Sequence, residues 1–139
     1  SKKPSYLLVI LNSIQEPSWD GFFVFEKYVY LYLNGYNFWI IVIVKTSEFD
    51  NWFRKLKDVR AKSKILLRLQ KLEKDEHFGD RKPVGEGIIE LRINYAKGYR
   101  LYLKERNRKI VILLIGGDKS TQQKDIDKAK RIWNEIKNE

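Results

Sequence analysis

Residues 87–120 constrain the fold more than any other stretch, because they have the pattern of three consecutive β-strands. From Ile88 to Tyr95, apolar and polar side chains alternate, which is typical of a strand with one buried and one polar face. Glu90 and Arg92 fall on the polar face. The sequence therefore predicts a half-buried strand that carries a carboxylate and a guanidinium side by side.

A hairpin partner and a central strand are predicted to follow. The turn Ala96-Lys97-Gly98 leads into a second alternating segment, Tyr99 to Lys104, in which Arg100 and Tyr102 share the polar face. The next segment, Ile110 to Ile115, is apolar without interruption, as expected of a strand covered on both faces. It ends in the charged turn Gly116-Gly117-Asp118-Lys119-Ser120, so Lys119 is expected at a strand end beside the arginines.

Helices are predicted before and after these strands in the sequence. Ser47 is the expected N-cap of the first helix, with Asp50 completing a capping box, and Asp58 is the expected N-cap of the second. Ser120 and Gln123 are expected to cap the last helix. The predicted apolar stripes are Phe49, Trp52, Phe53 and Leu56 on the first helix, Val59, Ile65, Leu66, Leu69 and Leu72 on the second, and Ile126, Ala129, Ile132, Trp133 and Ile136 on the last.

The second helix also carries a cationic stripe. Its members are spaced by four, four and three residues, which places them on one side of a helix: Arg60, Lys64, Arg68 and Lys71. Such a stripe is either a solvated face or a surface that contacts RNA phosphates. Residues 73–82 are predicted to be a charged loop.

The first 42 residues differ in composition from the rest, since eleven aromatic residues lie between Tyr6 and Trp39. Residues 22–44 are apolar for about the length of a membrane span, but the charges at Glu26 and Lys27 argue against one. Asn34-Gly35 is a preferred two-residue turn, so a β-hairpin is predicted over residues 28–44. Residues 1–42 are thus expected to be an extension that adds a strand to the sheet, with residues 1–20 as loop, and residues 43–139 to be the main domain.

Charge and cysteine content narrow the function classes. The formal net charge is +10, and all of it belongs to residues 45–139, which favours a polyanionic partner. Without cysteine, and with His77 as the single histidine, the chain offers neither a disulfide framework nor a thiolate or histidine metal site. We expect a cytoplasmic protein with no metal and no cofactor.

Several motifs in this order resemble a known family. They are Lys82-Pro83-Val84-Gly85-Glu86-Gly87, Glu90-Leu91-Arg92, Gly98-Tyr99-Arg100 and Gly116-Gly117-Asp118-Lys119-Ser120. Over residues 43–139 the chain resembles the RelE/HigB superfamily of bacterial toxins, and within it the phage-associated addiction module killer branch. The resemblance implies an α+β fold, in which a curved antiparallel sheet carries an N-terminal helical hairpin and a C-terminal helix.

The candidate chemistry depends on Arg92, Arg100 and Lys119, which can converge on one phosphate. On spacing alone, surface salt bridges are the stronger alternative, with Glu90 as the partner of Arg100. RelE-like toxins carry basic residues at these positions, which implies a ribosome-dependent ribonuclease that cuts messenger RNA. In that reaction the RNA 2′-OH attacks the adjacent phosphorus, and the steps need charge stabilisation and alignment but no metal.

We assign Arg100 and Lys119 to the phosphate and Arg92 to the attacking or leaving oxygen. Glu90 is a possible base, although the arginines would lower its pKa, and Tyr95 and Tyr102 are candidates for stacking on a base. One departure from the family is that residues 121–127 lack the tyrosine that some members use near the start of the last helix.

The resemblance also implies partners and leaves other functions open. The expected partners are the ribosome, messenger RNA and a cognate helix-turn-helix antitoxin, with no membrane. ParE-type members of the superfamily instead poison DNA gyrase, and fold alone does not decide between these activities. A third possibility is an inactive RNA- or protein-binding module.

Overall fold

A computed structural model describes residues 5–11, 22–25, 28–33, 36–72, 81–106 and 110–137. Within these ranges the chain has an α+β fold, which confirms the predicted class. The strands are β1 (Ser5–Leu11), β2 (Phe22–Phe25), β3 (Tyr28–Leu33), β4 (Tyr36–Lys45), β5 (Arg81–Gly85), β6 (Ile88–Ile93), β7 (Tyr99–Arg106) and β8 (Ile110–Gly117). The helices are α1 (Ser47–Lys55), α2 (Val59–Lys71) and α3 (Gln122–Ile136).

The described strands form one mostly antiparallel sheet in the order β2-β3-β4-β8-β7-β6-β5, and β1 pairs with β4 outside this path. The antiparallel run from β5 to β8 is the predicted three-stranded pattern with β5 added at its edge. β4 joins the sheet parallel to β8, through residues 42–45 against 110–113. β4, which begins within the expected extension, therefore adds a strand to the sheet.

Helices cover both faces of the sheet at β6, β7 and β8. The prediction of a half-buried β6 is therefore wrong, since every residue of this strand except Arg92 is buried. The face that packs with α1 and α2 carries alternate residues of β6 and β7, namely Ile89, Leu91, Ile93, Tyr99, Leu101 and Leu103. The opposite face carries Ile88, Tyr102, Ile112, Leu114 and Ile115, which pack with Ile126, Ala129 and Ile132 of α3. Leu114 and Ile115 both lie in the second cluster because a register shift in the β7–β8 ladder falls there. Glu90 and Arg92 consequently lie in the layer of α3.

The N-terminal part of the sheet agrees only partly with the sequence. β3 pairs antiparallel with β4, as expected of the predicted hairpin, although Asn34 and Gly35 lie outside the described residues. The prediction that residues 1–20 are loop is wrong for 5–11, since β1 pairs parallel with β4 from Ser5 to Leu11. The β-propensity of the short apolar run in β1 does not reveal that it pairs with a parallel strand about thirty residues later. None of the helices in the described ranges has the length and apolar character needed to cross a bilayer.

Helix caps were partly mispredicted. The N-cap of α1 is Thr46, not Ser47: its buried hydroxyl accepts from the Phe49 amide at 3.0 Å and donates to the Leu114 carbonyl at 2.7 Å. Thr46, and not the neighbouring Ser47, is the cap because its hydroxyl also forms the hydrogen bond to β8. Asp58 caps α2 as predicted, through the Ala61 amide at 3.1 Å.

Ser120 does not cap the last helix, since it belongs to a 3-10 turn at 119–121 that Asp118 caps. Thr121 is the N-cap residue of α3, and Gln123 bonds Asp127 instead of the helix terminus.

The apolar stripes of α1 and α3 are confirmed, and that of α2 is confirmed in part. Ile65, Leu69 and Leu72 are buried, whereas Val59 is 74% exposed and Leu66 is 41% exposed. Ala61 takes the remaining core position. The prediction of a charged loop over residues 73–82 is wrong for Arg81 and Lys82, which belong to β5, and residues 73–80 lie outside the described ranges.

Candidate active site

Arg92 and Arg100 face each other across two neighbouring strands. They are directly paired in the β6–β7 register, so both side chains lie on one face of the sheet, as the sequence predicted, and this is the face on which α3 packs. The Arg92 side chain is 43% exposed, whereas that of Arg100 is 10% exposed. Arg100 donates through Nη1 to the Gly98 carbonyl at 2.7 Å. One guanidinium is thus open to solvent and the other is anchored in the fold.

A fully buried carboxylate lies next to both arginines. Oε1 of Glu90 is 3.3 Å from Nε of Arg92 and 3.7 Å from Nε of Arg100. Its other oxygen, Oε2, accepts from the Tyr102 hydroxyl at 3.0 Å and from Nε2 of Gln122 at 2.9 Å. Nε of Arg100 is buried and makes no hydrogen bond within the described part of the chain. Glu90 therefore neutralises part of the charge without using all of the donors of Arg100.

The environment of Glu90 decides its role. Burial alone would raise its pKa, but the hydrogen bonds from Gln122, Tyr102 and Arg92 and the charge of Arg100 outweigh burial and lower the pKa below the ordinary 4.5. A buried carboxylate with a lowered pKa holds protons poorly and cannot reach a substrate hydroxyl. We interpret Glu90 as an anchor for the arginines and not as a general base.

Tyr102 does not play the role predicted for it. Its side chain is fully buried beneath α3, so its ring cannot stack on an RNA base. Burial and the neighbouring Glu90 carboxylate raise the pKa of Tyr102 far above its usual value, which keeps its hydroxyl a hydrogen-bond donor. The alternation of the strand placed Tyr102 on the correct face but did not show that α3 covers this part of the face.

Gly98 lies between Arg100 and Lys119. Gly98 has a φ of 72°, which favours glycine, and a Cβ added there would lie 3.3 Å from Nη1 of Arg100 and 3.6 Å from Cβ of Lys119. The Lys119 amide also donates to the Lys97 carbonyl at 3.3 Å, which joins the two turns. The structure thus brings the exposed Lys119 to the same end of the sheet as Arg92 and Arg100.

The end of β8 is in close contact with both α1 and α3. A Cβ on Gly116 would overlap the Trp52 ring of α1, and a Cβ on Gly117 would overlap the Asp125 carboxylate of α3. Gly117 is paired with Arg100 in the β7–β8 register. Burial and the nearby Asp118 raise the pKa of Asp125, whose carboxylate accepts from the Thr121 hydroxyl. The glycines allow both helices to approach the strand end that carries the basic residues.

Tyr95 and the cationic stripe of α2 lie elsewhere. Tyr95 packs with the α1–α2 cluster, its hydroxyl 3.5 Å from the Asp58 carboxylate and its ring 5.3 Å from Nζ of Lys64. Arg60, Lys64 and Lys71 are exposed, and Arg68 is partly buried. Since α2 packs on the face opposite α3, the structure does not bring this stripe together with the Arg92–Arg100 pair.

Two residues of the site were missed by sequence reasoning. Gln122 contacts Glu90 across 32 residues of sequence, and no local pattern signals that contact. Lys97 was interpreted only as a turn residue, but it lines an open depression together with Asp118, Lys119 and Ser120. His77 lies outside the described residues. Within the described ranges, no three His, Cys, Asp or Glu side chains cluster as a metal site would require.

Comparison with known proteins identifies the family. The family described as "Phage derived protein Gp49-like (DUF891)" matches residues 51–134, which is more than half of the chain. The chain belongs to the Gp49-like family. A Haemophilus influenzae protein described as "Uncharacterized protein" is 53% identical to the chain over 96 residues, which are 69% of this chain and 96% of the relative.

The Gp49-like family is that of the RelE-like addiction module killer proteins. Membership indicates that this chain is the toxin of a toxin–antitoxin module and that its partner is a cognate antitoxin. The matched residues include α2, most of α3, the strands that carry Glu90, Arg92 and Arg100, and the turn that carries Lys119.

Proposed function

We propose that this Gp49-like protein is a type II toxin of the RelE/HigB kind and cleaves messenger RNA on the ribosome. The observation that carries the proposal is the direct pairing of Arg92 with Arg100 beside Lys119, with the Glu90 carboxylate buried behind them. The carboxylate accepts hydrogen bonds from Arg92, Tyr102 and Gln122 and lies 3.7 Å from Nε of Arg100. Such buried support holds two cations in place for a phosphate, which an isolated surface salt bridge does not require.

The reaction is a transesterification within the substrate. The RNA 2′-OH attacks the adjacent phosphorus, the bond from phosphorus to the 5′-oxygen breaks, and the products are a 2′,3′-cyclic phosphate and a 5′-hydroxyl. Arg100 and Lys119 stabilise the negative charge that grows on the phosphorane oxygens, and Arg92 lies nearest the attacking or leaving oxygen. Arginine remains protonated and does not act as a base. The chain therefore contributes charge stabilisation and alignment.

The other predicted contacts belong to the same proposal. Lys64 and Lys71 are exposed on α2 and can bind ribosomal RNA phosphates on the face away from the site, together with Arg60 and Arg68. Because the two surfaces are separate, the α2 stripe can bind the ribosome while the arginine site binds messenger RNA. The neutralising partner is a helix-turn-helix antitoxin, and messenger RNA on the ribosome places the activity in the cytoplasm.

One observation favours a different function. Arg100 is only 8% exposed and is engaged with Glu90 and the Gly98 carbonyl, which is also the pattern of a structural ion pair. If that is its whole role, the chain is a non-cleaving member, either a ParE-like gyrase inhibitor or a binding module. The reaction products distinguish these activities. A ribonuclease cleaves messenger RNA, a gyrase inhibitor causes DNA breaks, and a binding module does neither.

The test is messenger cleavage in a reconstituted translation system with purified toxin variants. Lys119→Ala is the primary variant because Lys119 is exposed and its loss does not uncover a buried charge. Removing one donor to a transition-state charge costs about 3 kcal/mol, so we expect a loss of roughly a hundredfold in kcat. Lys124→Ala, an exposed lysine on α3, is the matched control and should cleave normally. Equal cleavage by both variants contradicts the proposal.

A further inference from the structure

Gln122 links the start of α3 to the centre of the sheet. It is the first residue of α3, and its Nε2 donates to Oε2 of Glu90 at 2.9 Å. The Tyr102 hydroxyl of β7 donates to the same oxygen at 3.0 Å. Two donors from two different elements thus converge on one carboxylate oxygen.

This arrangement fixes the orientation of the carboxylate. The terminal torsion of glutamate is intrinsically broad, so an unsupported carboxylate can rotate and exchange its oxygens. Donors on Oε2 stop that rotation and leave Oε1 toward Nε of Arg92 and Nε of Arg100, at 3.3 and 3.7 Å. Oε1 then holds Arg92 by a hydrogen bond and helps to place Arg100, whose Nη1 is also held by the Gly98 carbonyl.

We propose that Gln122 is a positioning residue: with Tyr102 it orients the buried Glu90 carboxylate, and that carboxylate sets the placement of Arg92 and Arg100 for the substrate phosphate. The catalytic part of this inference rests on the proposed function, whereas the structural link stands on the described contacts alone. Gln122 does not touch the substrate in this scheme. Its loss should therefore reduce kcat and leave KM unchanged, because a small displacement of catalytic groups slows the reaction without removing substrate contacts.

The experiment compares Gln122→Ala with Gln123→Ala, adjacent residues of which only the first contacts Glu90. In the full-length protein, we expect Gln122→Ala to lower kcat by about 10- to 100-fold, with KM within about twofold of wild type. Gln123→Ala should match wild type in both. Gln122→Glu keeps the shape but replaces the donor with a second carboxylate, so it should be at least as damaging as Gln122→Ala, whereas a mere packing role would tolerate it.

A spectroscopic readout separates this inference from the proposed function. The Nε–H signals of Arg92 and Arg100 in proton–nitrogen NMR spectra of the free protein should shift or broaden in Gln122→Ala and stay in place in Gln123→Ala. If they change while wild type cleaves no RNA, the proposed function fails and the positioning link stands. If the signals and kcat of Gln122→Ala both equal those of wild type, the positioning role is overturned.

Discussion

Replacing Glu90 with alanine should destabilise the fold strongly. Glu90 is fully buried and Arg100 is 8% exposed, so the substitution leaves a buried guanidinium without its carboxylate. Removing one partner of a buried ion pair costs about 3–5 kcal/mol. For a chain of this length that corresponds to a fall of about 10–20 °C in Tm. The Arg92 pair adds little, because the Arg92 side chain is 43% exposed and its charge is screened by solvent.

Two other variants should lose less stability than Glu90→Ala. Tyr102→Phe removes one of the two donors to Oε2 and leaves that of Gln122, so we expect a loss of about 1 kcal/mol. Glu90→Gln keeps the size of the side chain but removes the charge, so its loss should fall between those of the other two variants. Glu135→Ala, which removes an exposed glutamate on α3, should change stability by less than about 0.5 kcal/mol.

Thermal and urea unfolding of the purified variants measure this series, with circular dichroism as the readout. The urea data give the free energy of unfolding and show whether the variants expose similar surface on unfolding. Our interpretation of Glu90 as an anchor is refuted if Glu90→Ala unfolds within about 1 kcal/mol of wild type. It is also refuted if the exposed Glu135→Ala variant loses as much stability as Glu90→Ala.

The remaining predictions concern packing, pH and ribosome binding. Gly116→Ala should lower stability by about 1–3 kcal/mol because the new methyl group overlaps the Trp52 ring, and Trp52→Leu in the same chain should reduce that penalty in a double-mutant cycle. Asp125→Asn should raise Tm at pH 7, because a raised pKa means that the charged Asp125 destabilises the fold at neutral pH; this advantage should vanish as the pH falls toward the ordinary 3.8. Glu90→Gln should show the opposite sign, since the lowered pKa of Glu90 stabilises the fold above pH 4.5 and this contribution is lost as the pH falls through the folded pKa. Replacing Lys64 and Lys71 with alanine should reduce the salt dependence of ribosome binding, by about 0.7–0.9 in the slope of log K against log salt per lost contact, while Lys137→Ala should not; an unchanged slope would assign α2 a solvated face.

The elements closest to the candidate site could be predicted because their signals are local. Strand alternation in β6 and β7 placed Glu90, Arg92 and Arg100 on one face, and the unbroken apolar run of β8 indicated cover on both faces. The glycine turn then put Lys119 beside them. These inferences needed only the period of the side chains and the position of a turn.

The predictions that failed depended on contacts between distant parts of the chain. Tyr102 is on the predicted face, but its burial comes from α3, which the alternation of β7 cannot reveal. Thr46 replaces Ser47 as N-cap because it also bonds the Leu114 carbonyl, 68 residues away. Val59 fits a helical apolar stripe, but the orientation of α2 is set by Ala61 and Ile65. Tertiary packing overrode local preference in each case.

The most direct test of the proposed activity is to map messenger RNA ends after brief induction of the toxin in cells. We expect wild type and Lys124→Ala to create new 5′-hydroxyl ends within translated regions, in a fixed register with the codons, and upstream fragments that end in a 2′,3′-cyclic phosphate. Lys119→Ala should reduce these ends by about a hundredfold while the protein accumulates to the same level. If wild type arrests growth without such ends, or if Lys119→Ala produces as many ends as wild type, the ribonuclease site proposed at Arg92, Arg100 and Lys119 is wrong.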